Sequence, residues 1–100
     1  MEVFSTHEFQ SWIDALKDVA GRSRVLMRVD RLIHGNPGLH RNLNKGVSEL
    51  KIDVGPGYRV YYSLRGDQLL LLLAGGNKAT QNKDIEKALM LTRLLKDFPQ

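Results

Sequence analysis

Hydrophobic residues spaced three and four positions apart dominate the first third of the chain. The first set predicts a helix with one buried face and consists of Phe9, Trp12, Ile13, Leu16, Val19 and Ala20. Ser5–Glu8 before it has the form of a capping box, with Ser5 as the N-cap residue. The second set predicts another helix and consists of Val25, Leu26, Val29, Leu32 and Ile33. Gly21 interrupts the pattern between the two sets, and the stop signal Gly35–Gly38 ends the second. Together they predict a helical hairpin, preceded by a short edge strand at Glu2–Ser5.

From about Lys45 the hydrophobic period changes from 3.6 to two residues, which is typical of strands. Val47–Val54 and Tyr58–Arg65 both alternate, and Asp53–Gly57 between them is rich in turn residues. Gln68–Ala74 follows and contains five consecutive leucines. Such a run predicts a central strand covered on both faces, because an edge strand would leave part of it in water.

The last quarter of the sequence predicts a loop and a final helix. Gly75–Lys78 is expected to form a flexible loop because it contains two adjacent glycines. Thr80 or Asn82 can then cap a helix that continues to about Lys96. The predicted order is β-α-α-β-β-β-α. This is an α+β domain spanning residues 1–100, in which a helical hairpin and a C-terminal helix pack on a small, largely antiparallel sheet.

Composition and charge narrow the possible functions. The 100 residues include no cysteine, which excludes disulfide scaffolds, zinc-thiolate sites and cysteine nucleophiles. The N-terminus lacks the pattern of a secretory signal, and the apolar run Leu69–Ala74 is too short to cross a bilayer. We therefore expect a cytoplasmic domain with no membrane partner. The formal net charge is +4, and residues 21–45 contain six basic residues against one acidic residue, a concentration typical of proteins that bind polyanions.

The histidines and the glycine-rich segment match no catalytic motif. His7, His34 and His40 are not spaced like metal ligands. Gly75–Lys78 lacks the spacing of a Walker phosphate loop. We therefore expect no metal and no other cofactor.

Basic residues and tyrosines share one face of the predicted strand pair. If Asp53–Gly57 is its turn, Lys51 and Arg59 lie opposite or nearly so, with Glu49 and Tyr61 adjacent. One interpretation is a solvated sheet face on which Glu49 forms ion pairs with its basic neighbours. The other is a site that cleaves RNA by transesterification, which needs a base, an acid and cations around the phosphate.

A cluster of cations is the central requirement of the second interpretation. A lysine can transfer the protons if neighbouring cations and partial burial lower its pKa. The candidates are Lys45, Lys51, Arg59 and Lys78. We expect Arg59 to face solvent, so that its replacement by alanine removes activity and leaves the fold intact. Val60 and Tyr62, which point the opposite way, are expected to be buried.

Four sequence blocks resemble the RelE-like toxins of type II toxin–antitoxin systems. They are Lys45–Lys51, Gly57–Tyr62, Leu72–Lys78 and Gln81–Ile85. Their order and spacing are most similar to the phage-derived, HigB-like branch known as addiction module killer proteins. The resemblance extends from Met1 to Lys96.

The resemblance implies a RelE-like fold and a metal-independent, ribosome-dependent mRNA endonuclease (an mRNA interferase) that inhibits translation. The implied partners are mRNA on the ribosome and a neutralising cognate antitoxin, usually a small helix-turn-helix protein. Operator DNA would be contacted only through the antitoxin complex. ParE-like inhibitors of DNA gyrase belong to the same superfamily, so gyrase inhibition is an alternative. A catalytically degenerate toxin, retained for binding its antitoxin and operator DNA, is another.

The resemblance also implies roles for individual residues. Arg59 matches the family arginine that stabilises the transition-state phosphate. The other matching basic positions are Lys45, Lys51 and Lys78. The residues expected to contact RNA are Glu49, Tyr61 and Lys83. The C-terminal segment 96–100 contains no tyrosine or histidine where the family has a catalytic one, which leaves the general acid unassigned.

Overall fold

The computed structural model describes residues 1–97, and residues 98–100 of the predicted domain lie outside the described part. The described chain contains five strands, three α-helices and a 3₁₀ turn. The strands are β1 (Glu2–Ser5), β2 (His40–Asn42), β3 (Val47–Ile52), β4 (Tyr58–Arg65) and β5 (Leu69–Asn77). The helices are α1 (His7–Ala15), α2 (Val19–Ile33) and α3 (Gln81–Leu94), and the 3₁₀ turn Lys78–Thr80 precedes α3. No helix among these residues is both long and apolar enough to cross a membrane.

The strands form one mixed sheet in the order β1-β5-β4-β3-β2. β1 is parallel to β5, and all other neighbours are antiparallel. The prediction of an α+β fold with a largely antiparallel sheet is therefore confirmed. β2 was not predicted, because all three of its residues are exposed and so carry no hydrophobic alternation.

Helices cover both faces of the sheet and create two hydrophobic cores. The core beneath α1 and α2 includes Phe9, Ile13, Val25, Val29, Leu32, Leu50, Val60 and Tyr62. The core beneath α3 includes Val47, Tyr61, Leu69, Leu71, Leu73, Ala88 and Leu91. Leu70 and Leu72 belong to the first core. The leucines of β5 are therefore divided between the two faces, as expected for a central strand.

The starts of the first two helices differ from the prediction. Thr6, rather than Ser5, caps α1, because its hydroxyl accepts from the Phe9 N–H at 3.0 Å while Ser5 still pairs with β5. Gly21 lies inside α2 instead of interrupting the helical pattern. A Cβ at Gly21 would lie 2.5 Å from Asp18 Oδ2 and 2.5 Å from Tyr58 Cε2. The glycine is therefore required by close packing.

The predicted flexible loop at Gly75–Lys78 is also wrong. Gly75, Gly76 and Asn77 continue β5 and pair with β4. A Cβ at Gly75 would collide with the Trp12 ring, and one at Gly76 would collide with the Asp84 carboxylate. These glycines allow side chains to approach the strand closely from both faces of the sheet. The local sequence cannot distinguish this packing requirement from the flexibility of a loop.

Tyr62 provides a test of the assignment of strand faces. Its side chain is 3% exposed, so Tyr62→Ala should lower the free energy of unfolding by about 3 kcal/mol or more. Leu64→Ala on the same strand is the control, because Leu64 is 46% exposed and its loss should cost less than about 1 kcal/mol. Urea denaturation measures both. Equal effects of the two substitutions would contradict the assignment.

Candidate functional site

The pairing of β3 with β4 brings two cations face to face. Lys51 lies opposite Arg59, as predicted. The Lys51 N–H donates to Leu39 O at 3.0 Å, and Lys51 O accepts from the Arg28 side chain at 2.8 Å. Lys51 and Arg59 therefore form a non-hydrogen-bonded pair, in which the Cα atoms are about 4.5 Å apart and the side chains are closest. Two like charges placed in this way repel each other, and an anion between them would relieve the repulsion.

Arg59 is buried, contrary to the expectation that it faces solvent. Its side chain is 6% exposed. Nη1 donates to Tyr58 O at 3.0 Å and lies 3.7 Å from an oxygen of Asp53, whose side chain is 68% exposed. Nε has no hydrogen-bond partner among residues 1–97. A buried guanidinium with so little neutralisation is costly, because the protein replaces only part of its hydration.

Gly57 brings Lys78 to the same place. It adopts φ +79°, the left-handed region that favours glycine. A Cβ on Gly57 would lie 3.4 Å from Arg59 Nη1 and 3.4 Å from Lys78 Cβ, so the bare turn fits between the two side chains. Lys51, Arg59 and Lys78 together form what we call the cationic site. Lys83 lines a cavity with Lys78 at the start of α3.

Lys45 does not join the cationic site, although it was predicted to. It occupies the turn between β2 and β3, with φ +56°, at the opposite end of β3 from Lys51. At about 3.3 Å per strand residue, the two lysines are roughly 15–20 Å apart. Lys45 instead lines a separate cavity with Arg65 and Arg93. Proximity in sequence to the Lys51 block was therefore misleading.

Glu49 lies beneath the cationic site and is fully buried. Its carboxylate accepts from Arg41 Nε at 2.9 Å and from Gln81 Nε2 at 2.9 Å. Burial alone would raise the pKa of Glu49, but these hydrogen bonds and the charge of Arg41 outweigh burial and lower it. Glu49 is therefore ionised, and its carboxylate connects β3 with Arg41 on β2 and with Gln81 at the start of α3.

The solvated-face interpretation is wrong, because α3 covers this face of the sheet. The ion-pair partner of Glu49 is Arg41, from the strand that was not predicted. Arg41 and Gln81 are the residues that sequence reasoning missed. Arg41 lies in the basic segment 21–45, but its three-residue strand gave no signal of where it would be placed.

Tyr61, opposite Glu49, is also fully buried. Burial first, and then the neighbouring Glu49, raises the pKa of its hydroxyl. The hydroxyl lies beside the Glu49 carboxylate, which is the group positioned to accept from it. The prediction that Glu49 and Tyr61 contact RNA directly does not fit their burial. They lie in the buried layer next to the cationic site, where they help to hold Lys51 and Arg59 in position.

One buried donor of this strand face, Arg59 Nε, remains without a partner within the described part of the chain. Buried polar groups in folded proteins nearly always have partners. Arg59 lies on the same sheet face as Lys51, which is opposite it on β3, and Lys78 packs alongside. An anion at this place would neutralise part of the clustered positive charge. Across residues 1–97, no three histidine or carboxylate side chains are arranged to hold a metal ion.

One curated protein is similar to nearly the whole chain. It comes from Haemophilus influenzae, is described as an uncharacterized protein, and is 40% identical over 95 residues, covering 95% of this chain and 96% of its own length. No protein-family model matches the chain.

The charge of Glu49 predicts a pH-dependent stability. Because its pKa is lower in the folded chain, its contribution is complete above the usual glutamate value of 4.5 and is lost as the pH falls through the folded pKa. Glu49→Gln should therefore lower the free energy of unfolding by about 1–3 kcal/mol at pH 7. The deficit should shrink below pH 4.5.

Glu86→Gln is the matched control, because Glu86 is exposed on α3. Denaturant unfolding at several pH values measures both variants, and Glu86→Gln should behave like the wild type throughout. A Glu49→Gln deficit that stayed constant down to pH 3 would show that the carboxylate charge contributes nothing.

Proposed function

We propose that this chain, which belongs to the same family as the Haemophilus influenzae protein, is a RelE-like toxin that cleaves mRNA on the ribosome without a metal ion. The observation that carries the proposal is the buried, poorly neutralised Arg59, with Lys51 opposite and Lys78 alongside. A phosphodiester would supply the missing negative charge and the acceptor oxygens. The sheet with helices on both faces is compatible with a RelE-like fold.

In the proposed reaction, the RNA 2′-oxygen attacks phosphorus and the bond from phosphorus to the 5′-oxygen breaks. Negative charge increases on the non-bridging oxygens in the transition state. We propose that Arg59, which is held by its hydrogen bond to Tyr58 O and by its burial, stabilises that charge. Lys51 and Lys78 are the candidates for taking the proton from the 2′-hydroxyl and giving one to the 5′-oxygen.

The proposed partners follow from the resemblance to RelE-like toxins. mRNA in the ribosome is the substrate, and a cognate antitoxin, a small helix-turn-helix protein, neutralises the toxin in the cytoplasm. The antitoxin complex, rather than this chain alone, contacts operator DNA. The net charge of +4 favours association with all these nucleic acids.

Expression in a bacterial host tests the activity directly. Wild-type protein should arrest growth and produce cuts within the reading frame of a translated reporter mRNA, as detected by primer extension. Arg59→Met should remove the cuts, because it deletes the charge that meets the phosphate. Arg93→Ala should retain them, since Arg93 is exposed on the far part of α3.

Other outcomes would replace the proposal. Growth arrest without mRNA cuts, accompanied by DNA damage, would indicate a ParE-like gyrase inhibitor. Absence of both arrest and cuts, with antitoxin binding retained, would indicate a degenerate toxin.

The buried charge of Arg59 should also lower the free energy of unfolding. Arg59→Met should leave the free energy of unfolding unchanged or raise it by about 1–2 kcal/mol, because methionine needs no neutralising partner. Phosphate or sulfate should raise the Tm of the wild type more than that of Arg59→Met, since an anion that binds only the folded chain stabilises it. Differential scanning fluorimetry measures both effects. A large loss of stability in Arg59→Met would assign Arg59 a structural role instead.

A further inference from the structure

A second cavity, of about 310 Å³, lies beside the cationic site at the outer edge of β5. Asn77 and Thr80 line it, whereas Lys78 between them packs beside Gly57 and Arg59. We call it the Gly75 groove and define it by the lining residues that carry its chemistry, Glu8, Trp12, Gly75, Thr80, Asp84 and Lys87.

The outer edge of β5 is uncovered at this groove. β1 ends at Ser5, which pairs with Leu72, and Thr6 bonds to the carbonyls of Leu72 and Leu73. Among residues 1–97, the strand therefore has no outer neighbour from Ala74 onward. An uncovered stretch of backbone presents peptide donors and acceptors to whatever enters the groove.

The peptide groups of Gly75 point into this space. The Asn77 N–H donates to Thr80 Oγ1 at 3.2 Å, so Asn77 faces away from β4. Gly75 lies two residues earlier in the same antiparallel ladder, opposite Val60. Because ladder hydrogen bonds alternate, the Gly75 N–H and C=O also face away from β4. They form an adjacent donor and acceptor at the base of the groove.

Trp12 forms one wall of the groove. Its ring lies so close to Gly75 that a Cβ there would collide with it. Phe9 and Tyr58 hold the ring in place, with centroid distances of 6.0 and 6.3 Å. The side chain remains partly exposed. A fixed, partly exposed indole is a surface on which a flat ring can stack.

Carboxylates form another part of the wall. Asp84 is 8% exposed, and its Oδ2 accepts from the Thr80 hydroxyl, which fixes its position. Glu8 lines the groove from the first turn of α1, and Lys87 is exposed at its edge. Two carboxylates against one lysine disfavour a phosphate here. They favour an uncharged group with several donors, which is the opposite of the preference at the cationic site.

We propose that the Gly75 groove binds a guanine base of the RNA whose phosphate lies in the cationic site. Guanine presents N1–H and the 2-amino group side by side, which a carboxylate accepts, and its O6 accepts from the Gly75 N–H. Trp12 provides the stacking surface. The identity of the ligand as RNA rests on the proposed function, but binding of the base requires no cleavage.

Trp12 gives a direct readout, because it is the single tryptophan in the chain. GMP should quench its fluorescence saturably. IMP, which lacks the 2-amino group, and AMP should bind at least tenfold more weakly, as expected when a hydrogen bond to a charged group is lost. All three carry the same phosphate, so any difference comes from the base. Equal affinities, or no quenching, would overturn the proposal.

Variants locate the binding. Asp84→Asn should lower GMP affinity at least tenfold and reduce the preference for GMP over IMP, whereas Asp67→Asn in the β4–β5 turn should change neither. Glu8→Gln provides the same comparison if Asp84→Asn fails to fold by circular dichroism. Preference for GMP that survived both groove variants would overturn the assignment.

The two proposals can fail separately. Arg59→Met should lose mRNA cleavage and keep its preference for the guanine base. Cleavage by the wild type without any base preference would refute the groove alone. Guanine binding by a wild type that cuts no mRNA would refute the proposed activity alone.

Discussion

The incompletely neutralised charge of Arg59 is the constraint on which the rest of this structure depends. The guanidinium is buried on β4, opposite a second cation on β3, and its nearest carboxylate is 3.7 Å away and largely in water. Burying Arg59 with so little counter-charge costs stability. That cost is our reason for proposing a functional site at this end of the sheet.

The surroundings of Arg59 are organised to hold it in place. Glu49 joins β2, β3 and α3 through Arg41 and Gln81, so three elements meet rigidly below the cationic site. Gly57 on one side keeps the turn narrow. The last part of β5 contains two adjacent glycines, which allow Trp12 and Asp84 to approach from opposite faces. The cationic site is formed by lysine and arginine side chains, whereas the Gly75 groove is lined by two carboxylates. This difference in charge is the basis of the phosphate-binding and base-binding preferences that we propose.

The sequence supplied the elements and the register of the central strand pair. The alternation in Val47–Val54 and Tyr58–Arg65 placed Lys51 opposite Arg59 and placed Tyr62 in the core, as the structure confirms. It failed where tertiary packing overrides local pattern. β2 has no buried residue to reveal it, and Gly75–Asn77 has the composition of a loop but continues a strand. Lys45 shares a sequence block with Lys51 yet lies at the other end of β3.

By itself, the sequence determined which residues alternate, which strands pair and where positive charge is concentrated, because periodicity and turn chemistry are local properties. The tertiary structure alone decided which polar residues are buried. One face of β3 and β4 carries polar residues, and the sequence pattern alone suggests that it is solvated. In the structure α3 packs on this face, so Arg59, Glu49 and Tyr61 are buried. Burial depends on what packs above a strand, and no residue of the strand encodes that. The same helix leaves the guanidinium of Arg59 buried with only a distant, exposed carboxylate to neutralise it.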